Sequence, residues 1–431
     1  MKNKIWLILG ILVFAFLKLS PGSFPLIGGG GDVVWWGIQH DPSVYSPLIQ
    51  EFESQNPGIT VRYEKQSRVN YRERLTNALA SGQGPDIFEI HNSWPPMFTN
   101  QLSTLPSSIM GRDEFEASFY PVISSDLSRQ DGFIAMPLEY DAITLFINQD
   151  IFAEAAKTAP ETWDDLRALA TELTQKDDRG AIIQSGAALG ITENVDYWPD
   201  ILALMFYQNR ANLAQPNQCA QNCLGADAIS FYTLFQRLGV WDRTLPASTL
   251  AFANGKLAMF FAPSSVANEI LRINPNLKFR TVTLPQLPKN TPSDPDFSYT
   301  SYWAQGVWEK SRNKETAWKL LKFLSTQEAL ERLHANIKTA EFFGKVSPRP
   351  NMNLLLREDP VLGSVVRLAP DGGSWYLADK TNDGETGINS QVNALFEEVL
   401  TSWPPQGDIK ALDKMAEELA RVLSSFSVVV R

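Results

Sequence analysis

Val33-Val34-Trp35-Trp36, then Ile59-Thr60-Val61-Arg62-Tyr63, then Ile87-Phe88-Glu89-Ile90: these three stretches, with what lies between them, decide how the chain folds. The first is a compact apolar strand. Between it and the second, Leu48, Ile49 and Phe52 form a helical stripe that Asn56-Pro57-Gly58 stops. The second alternates apolar Ile59, Val61 and Tyr63 with polar Thr60 and Arg62, the pattern of a strand with one buried face. Tyr71, Leu75, Ala78 and Leu79 then recur at helical spacing, and Gly82-Gln83-Gly84-Pro85 breaks the helix before the third strand. Strand, helix, strand, helix, strand with short connections predicts a doubly wound parallel sheet, and right-handed crossovers would point every strand the same way.

Further along the chain, residues 131–148 read as extended, with a polar interruption at Glu139-Tyr140-Asp141 and a strand over residues 143–147. Thr162 is placed to cap a helix whose third position, Asp165, sets a carboxylate at the positive helix end; Leu166, Leu169, Ala170 and Leu173 are its buried stripe. Strands over residues 257–261 and 277–282, with helices over 227–238 and 264–273, make a second α/β set. Further helices are expected over 314–324, after the cap Ser325-Thr326-Gln327-Glu328, and over 391–400 and 409–423.

A chain of 431 residues with 44% hydrophobic and 20% charged residues is long enough for two or three domains and too apolar for disorder. Its 48 acidic against 38 basic residues, a net charge of -10, do not suit a surface that neutralises phosphates, so no nucleic-acid partner is expected. Two Cys and three His leave no ligand set for a zinc array or an iron–sulfur cluster, and no metal or cofactor is expected.

Residues 5–17 are uninterrupted apolar or Gly positions after Lys2 and Lys4, an export pattern that places the rest of the chain outside the cytoplasm. No clear small-x-small cleavage site follows, and Lys18 is the one charge in the run to Ile27. We read residues 1–31 as an uncleaved membrane anchor and Gly/Pro tether; a cleaved signal and a secreted body is the other reading. Cys219 and Cys223 lie in a polar, turn-rich segment, and a local disulfide is the plain reading outside the cytoplasm.

In an open parallel sheet, ligands lie beyond the carboxyl ends of the strands. That rule selects Trp36 and His40 after the first strand and Trp94 after the third, an aromatic and polar mixture suited to a polyhydroxylated ligand. Glu139 and Asp141, at i and i+2, project from one face of an extended strand about 7 Å apart. They are the pair that would serve a glycosidase, but side-by-side placement is a poor way to flank a scissile bond, and acceptance of sugar hydroxyls fits better. No nucleophile elbow, phosphate loop or zinc-protease motif occurs, so no enzyme activity is expected.

Gln55-Asn56-Pro57-Gly58, Leu79 to Ile87, Met136-Pro137-Leu138-Glu139, Asn148-Gln149-Asp150, Pro160 to Leu166, Phe252 to Met259, Ala317 to Leu324 and Pro348-Arg349-Pro350 together resemble the bacterial extracellular solute-binding proteins of the maltose- and oligosaccharide-binding type. The resemblance implies two α/β lobes, residues 32–139 plus 285–340 and residues 140–284 plus 341–431, hinged near Glu139 to Asp141. It implies a monomer that binds a carbohydrate in the interlobe cleft and hands it to an ABC transporter. Read position by position, it adds Ser264, Trp303, Trp375 and Tyr376 to Trp36, His40, Trp94, Glu139 and Asp141 as ligand contacts. Many relatives carry a lipid-anchored Cys near the N-terminus and this chain does not, which puts the mode of anchoring, not the fold, in question. A tethered sugar sensor, or a glycan-processing enzyme using Glu139 and Asp141, is the alternative.

Overall fold

The computed structural model describes residues 31–219, 222–289, 291 and 293–429; the expected N-terminal anchor lies outside them but for Gly31. Strand β1 (Asp32–Gly37), helix α1 (Pro42–Gln55), strand β2 (Thr60–Lys65), helix α2 (Tyr71–Ala80) and strand β3 (Ile87–His91) follow one another as the spacing predicts. β1 lies between β2 and β3, parallel to both. The sheet is completed by Trp303–Val307 beside β3 and Ala135–Pro137 at the edge. Trp303–Val307 runs antiparallel to both neighbours, so the expected single direction does not extend to the whole sheet. The handedness rule governs strands joined by a helical crossover, and these two enter from elsewhere in the chain.

The second sheet has the order Phe279–Val282, Ile143–Asn148, Leu257–Pro263, Ile182–Ala187, Gln175–Lys176. Every residue of Ile143–Asn148 and Leu257–Pro263 is buried, which is why their sequences run apolar rather than alternating. Helix Trp163–Glu172 starts with the reciprocal cap its sequence announces, Thr162 and Asp165 each bonding the other's backbone N–H. It lies so close to the sheet that a Cβ on Gly186 would fall 2.1 Å from the Ala170 carbonyl oxygen. Helix Trp198–Gln208, which periodicity does not reveal, is buried at every position but Tyr207. Cys219 and Cys223 form a disulfide just ahead of helix Leu224–Arg237.

Three segments connect the sheets and lie side by side. The first runs from Pro137 to Ile143; the second reaches Trp303 from Ser298 and Tyr299, which pair with Gly372 and Gly373. The third follows helix Gln327–Ala340. Tyr140 donates its backbone N–H to the Val346 carbonyl at 2.9 Å, and Ser301 donates to the Asp141 carbonyl at 3.2 Å, so the middle segment is held on both sides.

Candidate functional site

Between the two sheets, against these crossing segments, lies a cavity of about 100 Å³. Its floor comes from the second crossing, Ser301 to Trp303, and from Leu138 to Asp141 of the first; β3 contributes Glu89 and His91, and the opposite side is formed by Tyr197, Ser265, Lys345, Asp379 and Lys380.

The carboxylates on this floor are each held by the fold. Glu89 accepts the backbone N–H groups of Ile38 and Gln39 and the amide of Gln305, which in turn accepts the Trp35 indole N–H at 2.8 Å. A Glu inside a fully buried strand is thus the clamp that shapes the loop after β1; its burial raises its pKa, against the lowering by the Ile38 N–H and the Gln305 amide. Asp141 accepts four donors: the backbone N–H groups of Ala142, Ser264 and Ser265, and the Ser264 hydroxyl. Ser264 and Ser265 immediately precede helix Val266–Ile273, so Asp141 fastens the first crossing to the start of that helix.

Glu139 is paired with His40, whose other ring nitrogen stands 3.3 Å from Glu341 of the third crossing. Lys345 adds a second cation 4.0 Å from Glu139. Burial lowers the His40 pKa, but the Glu139 charge and the hydrogen bonds to Glu139 and Glu341 outweigh it and raise it to about 9. Glu139 is lowered although burial raises it, because the His40 charge and hydrogen bond prevail. Two cations and two carboxylates therefore form a closed ionic set beside the crossing segments. His91, by contrast, is pushed down to about 3 by burial alone and is neutral, its ring nitrogens meeting the hydroxyls of Ser93 at 2.7 Å and Ser301 at 3.0 Å.

Of the residues expected to touch ligand, Glu139, Asp141 and Trp303 line this cavity. His40 and Ser264 stand behind it, holding Glu139 and Asp141. Trp36 points its indole N–H at Glu64, 2.8 Å away, and does not reach the cavity. Trp94 is fully buried, stacked on Tyr71 and Phe98 and meeting Trp303 edge-on with 5.2 Å between centroids. Polarity around Trp94 in the sequence suggested a loop ring open to ligand; it is the core support beneath Trp303 instead. Trp375 and Tyr376 line a second cavity, apart from the first. Arg68, Tyr197, Lys345, Asp379 and Lys380 were not anticipated. Glu89 carried a signal, an acid amid apolar strand residues, whereas Lys345, Asp379 and Lys380 reach the site only through long-range packing.

The cavity joins aromatic residues, Trp303 and Tyr197, with amide, hydroxyl, carboxylate and cationic groups, a mixture chemically suited to a polar solute through stacking and multiple hydrogen bonds. Among the described residues no group of His, Cys, Asp or Glu is arranged to hold a metal, and no helix is long and apolar enough to cross a membrane.

Comparison with known proteins bears on this geometry. The family model described as bacterial extracellular solute-binding protein matches residues 37–331. A protein of Brucella abortus (strain 2308) named as a binding protein is 25% identical over 287 residues, 65% of this chain and 68% of the relative. The maltotriose-binding protein of Pyrococcus abyssi is 22% identical over 408 residues, 91% of this chain and 82% of its own. Among solved structures, the sugar-binding protein MalE from Xanthomonas citri superposes with a TM-score of 0.71 at 18% identity, over 92% of this chain and 98% of that one. At those identities the structural likeness establishes the two-lobed fold.

Proposed function

Because the chain belongs to the bacterial extracellular solute-binding proteins, we propose that it captures a sugar or short oligosaccharide in the cleft described above and delivers it to an ABC transporter. The observation that carries this is the placement of Trp303 beside the crossing segments, facing a cavity whose polar groups come from the first sheet (Glu89, His91, Gln305) and, on the other side, from Tyr197, Ser265, Asp379 and Lys380. A ring over which a sugar's C–H face can stack, surrounded by acceptors and donors already locked in position, loses little entropy on binding. The solved structures of similar fold include complexes with maltotetraose and with mannobiose, which supports a carbohydrate over other polar solutes.

We read the first lobe as residues 32–139 plus 303–340 and the second as 140–299 plus 341–429; the pairing of Ser298 and Tyr299 with Gly372 and Gly373 supports a second crossing at 300–302, where the resemblance implied one at 285. The cavity of about 100 Å³ is well below the roughly 300–1,000 Å³ of ordinary ligand sites, so the lobes part to admit solute and close upon it. The protein acts as a monomer without catalysis, and its first 31 residues hold it at the membrane.

Thermal-shift screening of the full chain against mono- to tetrasaccharides, amino acids and polyamines tests the reading. A sugar that raises the melting temperature in proportion to ln(1 + [L]/Kd) is the expected result. A shift by an amino acid or polyamine, with none by any sugar, would overturn it. Fractionation with N-terminal sequencing tests the anchor; a soluble protein beginning near Ser23 would remove it.

A further inference from the structure

We infer that His91 is a positioning residue that relays between the cleft and helix Ile388–Ser402: it carries its proton on Nδ1 and joins Ser301 to Asn389 in one directed chain of hydrogen bonds. Ser301 and His91 line the cleft, whereas Asn389 is buried in the first turn of that helix. The helix packs on the side of the second sheet, where Phe396 meets Phe206 edge-on and Asn393 donates to the Ala378 carbonyl at 3.1 Å. The links are Ser301 Oγ to His91 Nε2 at 3.0 Å, His91 Nδ1 to Ser93 Oγ at 2.7 Å, Ser93 Oγ to Asn389 Oδ1 at 2.8 Å and Asn389 Nδ2 to the Tyr376 carbonyl at 2.7 Å.

The direction of every link follows from the last one. The Tyr376 carbonyl can only accept, so the Asn389 NH2 faces it and the Asn389 oxygen faces Ser93. That oxygen also can only accept, so it takes the single proton of the Ser93 hydroxyl. His91 Nδ1, on the same Ser93 oxygen, must then donate to it. Burial pushes the ring's pKa down to about 3, so it is neutral, and its bare Nε2 accepts the Ser301 hydroxyl. The other tautomer would set the lone pairs of Ser93 Oγ and Asn389 Oδ1 against each other at 2.8 Å. What the Nδ1 proton gives up is the longest contact of the set, the Ser93 backbone N–H at 3.3 Å from that nitrogen.

With its proton committed to His91, Ser301 meets a solute as an acceptor. A solute hydroxyl that donates to it extends the chain at its head, and hydrogen bonds aligned in one direction polarise and strengthen one another. The Ser93 to Asn389 link, which ties the turn after β3 to the start of helix Ile388–Ser402, is thereby tightened by a solute that does not touch it. This step rests on the cleft reading above; the position of the proton does not.

The test is NMR of the full chain with isotope-labelled histidine and asparagine, in the wild type, in Ser93→Ala and in Asn389→Leu, free and with maltotriose. The result expected is a His91 proton on Nδ1 in the wild type that moves to Nε2 in either variant, since Ser93→Ala leaves only a backbone N–H to face Nδ1 and Asn389→Leu frees the Ser93 hydroxyl to donate to it. Asn389→Leu also identifies the Asn389 amide signal by its loss. Maltotriose should shift the His91 ring nitrogens and the Asn389 amide together in the wild type, and the ring alone in Ser93→Ala. A wild-type proton on Nε2, a proton that neither variant moves, or an Asn389 amide that stays put while maltotriose shifts His91 would overturn the inference. A proton on Nδ1 in a ring that maltotriose leaves unmoved would remove the cleft reading for this sugar, and the transmission with it, while the directed chain stands, so the two fail separately.

Discussion

His40 is clamped between Glu139 and Glu341, carboxylates on two different crossing segments, and its proton is what makes that clamp attractive. Its pKa in the folded chain, about 9, lies above the ordinary 6.5, so its stabilising contribution is complete below about pH 6.5 and is lost as pH rises through about 9. The melting temperature of the wild type should therefore exceed that of His40→Gln most at about pH 6, and the gap should narrow towards about pH 10. A gap that does not change with pH would show that the ring acts by packing alone. His91 acts in the acid range with the opposite proton preference: burial holds it near 3, so the unfolded chain takes up a proton the folded one refuses, and stability falls as pH drops below about 6.5. The two tryptophans at the cleft divide between binding and core. Trp303→Ala should weaken sugar binding by roughly 1–3 kcal/mol with little change in the melting of the free protein, whereas Trp94→Ala should cost roughly 3–5 kcal/mol of stability. At this scale the sequence showed residue types and not directions. Trp94 and Trp303 were equally plausible platforms until packing put one under the other, and Asp379 and Lys380 have no local pattern that marks them.

Among the elements, legibility follows whether a segment has one dry face. α1, β2 and α2, each with a stripe or alternation, are where their patterns place them, and β1 and β3, short apolar runs, are placed by the turn residues around them. Helix Trp198–Gln208 is apolar almost all round because it is buried almost all round, and a helix without a wet face has no period to read. The direction of Trp303–Val307 was likewise hidden, since its neighbours in the sheet are set by a crossing segment far along the chain. Two element-scale outcomes follow. Gly186→Ala would drive a methyl to 2.1 Å from the Ala170 carbonyl oxygen, a backbone atom that cannot rotate away, and should destabilise by roughly 1–3 kcal/mol in a denaturant titration. Asp141→Ala strips the acceptor from the buried N–H groups of Ala142 and Ser264 and from the start of helix Val266–Ile273; each orphaned donor costs roughly 1–3 kcal/mol, so a lowered melting temperature without ligand is expected. An unaffected melting temperature would mean that this crossing is not held as described.

For the molecule as a whole, on the lobe division proposed above, the segment after Gly373 ties the second lobe to the first. Arg72 donates to the Asp383 carbonyl at 3.1 Å and to the Thr386 hydroxyl at 2.8 Å, and the Ser93 hydroxyl donates to the Asn389 side chain at 2.8 Å. On the proposed reading these contacts favour a shut arrangement, and a solute touching both sides of the cleft adds to the same preference. Arg72→Ala should raise the radius of gyration of the ligand-free protein in small-angle scattering, and saturating sugar should lower it again; an unchanged radius in both conditions would count against hinge closure. The central claim is that a sugar is held between the lobes at Trp303, and the crystal structure of the protein with the sugar selected by thermal shift tests it most directly. The account predicts a sugar ring stacked on Trp303 with hydrogen bonds to groups of both lobes, including Glu139 or Asp379. A sugar bound elsewhere, with the cleft at Trp303 filled only by water, would contradict it.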